Sequence, residues 1–380
     1  MSKYFRDFHL MRLLKGFSTQ GLPLDLFIRN YIKSNKSIGS HDRRFLAETI
    51  YTIFRWLGLI DYLCGKKHSW EERYEIFKTL DTTTAHKNPA LPPHVAVSFP
   101  KGLYDLIKSG LGEEKTKEFC LISNTQAPTT LRINPLKTDR QTLMNLWEGT
   151  YEVKACTQSP LGIIFKKREN FFGMDEFKQG LFEMQDEGSQ LVAFLVDAQP
   201  GQQVLDFCSG SGGKTLAFAQ RLDSTGQIYL HDIRPHSLVE AKKRLKRAGI
   251  QNAQILQHDD KKKKNLKHTM DWVLVDAPCT GSGTLRRNPD MKWRFDPQTI
   301  VKIQEEQRAI FAEALEFVKP GGKIVYATCS ILPHENTDQM THFLHNHSIK
   351  LVGSPLEISP TIDGMDGFFG AVFEKDTTMP

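Results

Sequence analysis

Residues 271–293 read Asp-Trp-Val-Leu-Val-Asp-Ala-Pro-Cys-Thr-Gly-Ser-Gly-Thr-Leu-Arg-Arg-Asn-Pro-Asp-Met-Lys-Trp. Trp272 to Val275 is a short apolar run, of the kind a strand buried on both faces requires. It ends at an acid, Asp276, followed by Pro278 and Cys279. A carboxylate and a thiol thus leave the tip of one strand together. In open α/β sheets, ligands bind just beyond the carboxyl ends of the strands. The residues alone suggest Cys279 as an attacking group and Asp276 as its partner. Arg286, Arg287, Lys292 and Trp293 follow at once. Arginine suits phosphate and tryptophan suits base stacking, so these residues are expected to meet a nucleic acid; a core position for Trp293 fits equally well.

Outward from this stretch, strands alternate with helices. Val204–Phe207, Gln227–Asp232, Ala253–Asp259, Lys323–Cys329 and Gly367–Phe373 read as strands. Helices are expected from Lys214, over Ser237–Ile250, and from an Asp296 cap with Pro297 at the first position. This alternation predicts a doubly wound α/β sheet over 181–380. Residues 126–180 mix strands at Thr129–Asn134, Tyr151–Ala155 and Gly162–Phe165 with a helix at Gln141–Trp147, which predicts a small α+β connector. Residues 1–125 carry apolar stripes at helical spacing (Leu10, Leu13, Leu14, Phe17; then Leu24, Phe27, Ile28, Tyr31; then a long run from Asp42 to Leu63) and predict an all-helical domain.

The chain has 380 residues, 39% hydrophobic and 25% charged, with a net charge of +6. That is the balance of a globular protein, and it permits a nucleic-acid partner without demanding one. Six cysteines without Cys-x-x-Cys spacing argue against a zinc ribbon and a disulfide framework, and no metal is expected. Reduced thiols in a cytosol fit better. The start of the chain lacks a signal-peptide pattern, and no run reaches the ~20 apolar residues of a membrane span. A cytoplasmic monomer without membrane contact is expected.

The turn Asp206-Phe-Cys-Ser-Gly-Ser-Gly-Gly-Lys-Thr215 lies between a strand and a helix. Small residues there let main-chain N–H groups approach a ligand. A Walker A loop would need glycine at Cys208, and a dinucleotide fingerprint would need one at Thr215. S-adenosylmethionine is the remaining reading, with Asp232 on its ribose and Asp259 near its adenine. The run Lys261–Lys264 reads as a solvated loop. Cys329, in Ala-Thr-Cys-Ser at the tip of a later strand, is expected to share a pocket with Cys279 and Asp276.

The motifs DFCSGSGGKT, HDIR (231–234), DAPCTGSGTLRRNPDMKW (276–293) and YATCSILPHEN (326–336), with LRIN, QDEGSQLVA and DGFFGAVF, resemble the Sun/RsmB-type (NOP/NSUN) RNA cytosine-5 methyltransferases. The segment HDRRFLAETIYTIFRW (41–56) is similar to the NusB-like RNA-binding domain of the bacterial 16S rRNA branch. One departure stands out: Ser209-Gly210-Ser211 replaces the family's Ala-Ala-Pro. The resemblance implies a Rossmann-like class I methyltransferase domain. S-adenosylmethionine would contact Cys208, Ser209, Gly210, Ser211, Gly212, Gly213, Lys214, Asp232, Asp259 and Asp276. The attacking thiolate would be Cys329, with Cys279 assisting product release and Asp276 stabilising the base. Arg132, Arg286, Arg287, Lys292 and Trp293 would contact RNA, in first place small-subunit rRNA. A tRNA substrate and a non-catalytic RNA-binding or assembly role are the alternatives. Amino-group methylation would want an aromatic residue after Asp-Pro-Pro, which Asp276-Ala-Pro-Cys lacks.

Overall fold

The computed structural model describes residues 3–19, 21–66, 68–257 and 261–377. Its contacts divide the chain into two units, 1–126 with 284–299, and 127–283 with 300–380. The first unit is helical. Helices Lys3–Gly16, Leu24–Ser34 and Ser40–Cys64 bury the stripes that carry Leu10, Leu13, Leu14, Ile28, Ile50, Ile53 and Phe54 in one cluster. Apolar side chains three and four positions apart lie on one face of a helix, so each stripe has one side to bury. Trp70–Thr79, Lys101–Leu111 and Glu113–Ser123 follow. Ser69 and Glu72 cap the first of these by exchanging hydrogen bonds with each other's main chain.

The segment 284–299, which the sequence places after a strand of the α/β region, is part of this helical unit. Trp293 packs into its core and donates its indole N–H to the Phe54 carbonyl at 2.7 Å. Asp290 accepts the Leu24 main-chain N–H at 3.2 Å, and Arg55 donates to the Arg286 carbonyl at 3.0 Å. The helical unit is therefore larger than 1–125. The following helix begins at Thr299 rather than at Pro297, because Asp296 turns the chain on itself and accepts the Gln298 N–H at 2.9 Å.

In the second unit, β1 (Thr129–Ile133), β2 (Val153–Ala155), β3 (Gly162–Phe165) and β4 (Phe182–Met184) form an antiparallel sheet in the order β2-β3-β1-β4. Helices Arg140–Trp147 and Asp175–Lys178 complete a β-α-β-β-α-β pattern. The larger sheet is built from β5 (Gln203–Asp206), β6 (Gln227–His231), β7 (Ala253–Leu256), β8 (Met270–Asp276), β9 (Val318–Thr328), β10 (Ile349–Leu351), β11 (Leu356–Ile358) and β12 (Phe368–Lys375). Its order is β10-β12-β9-β8-β5-β6-β7, with β11 paired to β12. β5 to β9 pair in parallel, while β10, β11 and β12 join antiparallel.

Alternate residues of each strand face opposite sides, and both sides are covered. Val204, Leu230, Trp272, Leu274 and Val325 meet Leu238, Ala241 and Leu245 on one side. Leu205, Val273, Val275, Ile324 and Tyr326 meet Phe311 and Phe343 on the other. The order reverses between β5 and β8. Their carboxyl ends, with that of β9, open on the crevice where such sheets bind ligands.

Candidate functional site

The glycine turn after β5 occupies this crevice. Gly210 and Gly212 have φ of 52° and 76°, conformations in which a Cβ is strained. A Cβ on Gly212 would also press on Leu230 at 3.3 Å. The turn is held from both sides. Asp232, just past β6, accepts the Gly210 N–H at 2.8 Å and the Arg234 N–H at 2.8 Å. These bonds, together with the Arg234 guanidinium, overcome its burial and hold the carboxyl below the usual range.

From the antiparallel sheet, Arg132 donates to the Gly213 carbonyl at 3.0 Å and to Gln185. Arg244, on the helix Pro235–Ala248, donates to the Ser211 carbonyl at 3.0 Å and hydroxyl at 2.7 Å. Glu183 pairs with Arg244 at 3.1 Å and Arg247 at 2.5 Å. Arg132 was expected to reach RNA, but it is 2% exposed and its charge is spent on the turn. Burial works against that charge, and Glu183 supports it. Nothing in the sequence singles out Arg244 or Glu183. Arg244 sits in an ordinary charged run and Glu183 in a short strand, and only the tertiary fold brings them to the loop.

Three acids converge here. Asp206 is 1% exposed, accepts the Thr215 hydroxyl at 2.6 Å through one oxygen, and leaves the other unpaired. Burial, reinforced by the charges of Asp276 and Asp232, raises it to about 7. The Ser209 hydroxyl is also buried without a partner. Such orphaned groups are rare in a folded interior unless a ligand completes them. Lys214 pairs with Asp276 at 2.5 Å. Burial pulls its ammonium down, but Asp276 and then Cys329 hold it above the usual range. A glycine cradle ringed by acids and unpaired acceptors fits S-adenosylmethionine, a cationic ligand rich in donors. Cys208 is half-buried in the turn, where desolvation and then the charges of Asp206, Asp276 and Asp232 raise its thiol. Asp259 lies outside the described residues.

The two expected thiols meet. Cys279 Sγ and Cys329 Sγ are 3.3 Å apart. Parallel pairing sets Asp276 of β8 beside Ala327 of β9, so both loops leave the sheet at one level. The hydrogen bond to Cys329 and burial hold the Cys279 thiol well above its usual range.

The expected nucleic-acid wall is different. Arg286 and Lys292 are each 1% exposed. The Lys292 ammonium sits in a cage of three acceptors, the Arg55 carbonyl at 2.6 Å, the Ser98 carbonyl at 2.7 Å and Asn124 Oδ1 at 2.8 Å. Burial drives it well below its usual range. Trp293 is the core aromatic of the alternative reading. These side chains build the helical unit instead of facing RNA; Arg287 is half-buried. Lys261–Lys264 form a turn of 3-10 helix, with Lys263 3.4 Å from Glu313. No helix of the described residues is long and apolar enough to cross a membrane.

Comparison with known proteins agrees with this geometry. Residues 193–374 match the family model described as 16S rRNA methyltransferase RsmB/F, and residues 99–171 match the ferredoxin-like domain of RsmF/B-like methyltransferases. A probable ribosomal RNA small subunit methyltransferase B of Synechocystis is 32% identical over 73% of this chain and 67% of its own length. The ribosomal RNA small subunit methyltransferase B of Pseudomonas syringae is 31% identical over 66% of this chain and 56% of its own. The chain thus spans between about half and two thirds of these relatives. The crystal structure of PH0851 superposes with a TM-score of 0.80 over 97% of both chains at 24% identity. A methyltransferase homologue from Pyrococcus horikoshii does so at 0.66, over 78% of this chain and all of its own, at 25% identity.

Proposed function

Because the chain belongs to the RsmB/F family of 16S rRNA methyltransferases, we propose that it methylates carbon 5 of a cytosine in small-subunit rRNA through a covalent bond between Cys329 and the base. The observation that carries this reading is the pair of thiols 3.3 Å apart, at the ends of adjacent strands, beside an acid that reaches the glycine turn through Lys214. The cofactor is S-adenosylmethionine, which supplies a methyl group on an electrophilic carbon.

Carbon 5 of cytosine is a poor nucleophile. Addition of the Cys329 thiolate to carbon 6 forms a C–S bond and moves an electron pair toward carbon 5, which then accepts the methyl group. Asp276 shares a proton with the ring nitrogen as charge develops there, and Lys214 steadies the acid. After methyl transfer, Cys279 gives up its own proton to water and, as the resulting thiolate, takes the carbon-5 proton. The electrons of that C–H bond restore the ring double bond and expel Cys329. The base must leave its stack to reach two sulfurs at strand tips, which favours a loop or transiently opened RNA.

A filter assay with labelled S-adenosylmethionine and naked or ribosome-bound 16S rRNA tests the reading. Methyl transfer is expected in the wild type and absent in Cys329→Ala. Cys279→Ala is expected to accumulate protein–RNA adduct, read as a shifted band on a denaturing gel. Full activity in Cys329→Ala would end the assignment of the attacker; label in tRNA alone would move the substrate.

A further inference from the structure

The side chain that joins the two thiol-bearing loops is Glu335. It lies in the 3-10 turn Pro333–Glu335 and is fully buried, at 0% exposure. In the sequence it stands within the motif YATCSILPHEN (326–336) with no role of its own. One carboxyl oxygen accepts the Thr280 main-chain N–H at 2.8 Å and the Gln307 amide at 3.1 Å. The other accepts the Thr280 hydroxyl at 2.5 Å and the Ser330 hydroxyl at 2.5 Å. Thr280 follows Cys279, and Ser330 follows Cys329. One carboxyl group therefore grips the residue after each thiol. Ser282 closes the ring, 2.9 Å from the Ser330 hydroxyl.

We propose that Glu335 is a positioning residue for the two-thiol chemistry: it clamps the Cys279 loop to the Cys329 loop, and its charge, on the side of Cys279, makes the two sulfurs unequal. The inference rests on the methyl-transfer reading above. Two chemically identical thiols in contact need something to decide which keeps the shared proton. The groups around Cys279 are Cys329 and Tyr326 from β9 and its loop, Glu335 from the turn beyond, and Asp276 on its own loop, which Lys214 pairs. Glu335 adds to the forces holding the proton on Cys279. Lys214 interacts with Cys329. A negative group beside Cys279 favours keeping the proton on that sulfur until Cys329 is consumed in the bond to carbon 6.

The test follows a single thiol. In a Cys329→Ser background, alkylation of Cys279 by iodoacetamide is followed against pH by mass spectrometry, with and without Glu335→Gln. The midpoint is expected to fall by about one pH unit when the charge is removed. In the chain with both thiols, Glu335→Gln is expected to lower kcat about a hundredfold, the scale of a small misplacement of reacting groups, with KM for S-adenosylmethionine unchanged. An unmoved midpoint with an unchanged kcat overturns the proposal, as does a loss confined to KM. Should Glu335→Gln fail to fold, Thr280→Val with Ser330→Ala removes two of the four hydrogen bonds to the carboxyl group and keeps the charge. That pair is expected to lower kcat and to weaken, about tenfold, the equilibrium formation of a Cys279–Cys329 disulfide with oxidised glutathione. No change in either measure overturns the clamp. A wild-type chain that transfers no methyl group defeats the activity reading itself, whereas the thiol titration still reports on Glu335.

Discussion

Asp206, at the end of β5, is an acid buried beside the cofactor turn. Its carboxyl is pushed to about 7 by burial and by neighbouring acids, so near neutrality it is divided between charged and neutral forms. A carboxyl whose folded value lies above its unfolded one favours the fold most below the unfolded value of about 4, and the benefit fades as pH rises through about 7. The full effect is on the order of 4 kcal/mol. Asp206→Asn keeps an acceptor for Thr215 and abolishes the titration. Its stability relative to wild type is expected to climb between pH 4 and 7 and then level off. Thermal melts of both proteins across that window check this, and a flat difference would contradict the burial argument. A cation bound beside Asp206 favours its charged form. Binding of S-adenosylmethionine at pH 7 should then release a fraction of a proton, measurable by calorimetry in two buffers of different ionisation enthalpy.

The glycine turn shows how a loop of small residues is given a fixed shape by its neighbours. Asp232 holds one end of it and Arg132 and Arg244 hold the other. Arg244→Ala removes two hydrogen bonds from a charged donor and leaves Glu183 with Arg247 and Arg132 for company. A charged hydrogen bond is worth ~1.5–3 kcal/mol, and if the loosened turn passes the equivalent of one such bond to the ligand, affinity for S-adenosylmethionine falls roughly ten- to a hundredfold. Titration calorimetry on the folded variant measures this, and unaltered affinity would mean that the turn keeps its shape unaided. The turn itself was legible in the sequence, because Gly210, Gly212 and the flanking strand and helix are local signals. So were the strand tips that carry Asp276, Cys279 and Cys329, since apolar runs ending in polar residues mark where a buried strand reaches the surface. Arg244 was not legible. A basic residue on an amphipathic helix has the same pattern whether it faces water or a loop over thirty residues earlier in the chain. The antiparallel direction of β12 was hidden for a similar reason: the run Phe368–Phe373 fits a buried strand of either direction.

The same ambiguity, enlarged, explains the segment 284–299. Arginines, a lysine and a tryptophan directly after a catalytic-looking motif suggested a nucleic-acid face, yet Lys292 and Trp293 are interior parts of the helical unit. Residue type identifies what a side chain is able to bind; it does not reveal that carbonyls of Arg55 and Ser98 are waiting for an ammonium in another part of the chain. An isolated fragment of residues 1–126 should therefore be poorly stable. Addition of a synthetic 284–299 peptide is expected to raise its melting temperature in a saturable way, followed by circular dichroism. A peptide carrying Lys292→Met should do so less well, because unmatched buried carbonyls cost ~1–3 kcal/mol. Equal melting with and without the peptide would show that the helices suffice. The arrangement also sets a timetable. Synthesis runs from the amino end, and the helical unit leaves the ribosome first, but residues 127–283 must be made before its last piece exists. At roughly 5–20 residues per second, that is a delay of about 10–30 s. Throughout it the nascent helices carry an unfilled socket, so the first unit to emerge is completed only when the second is largely made.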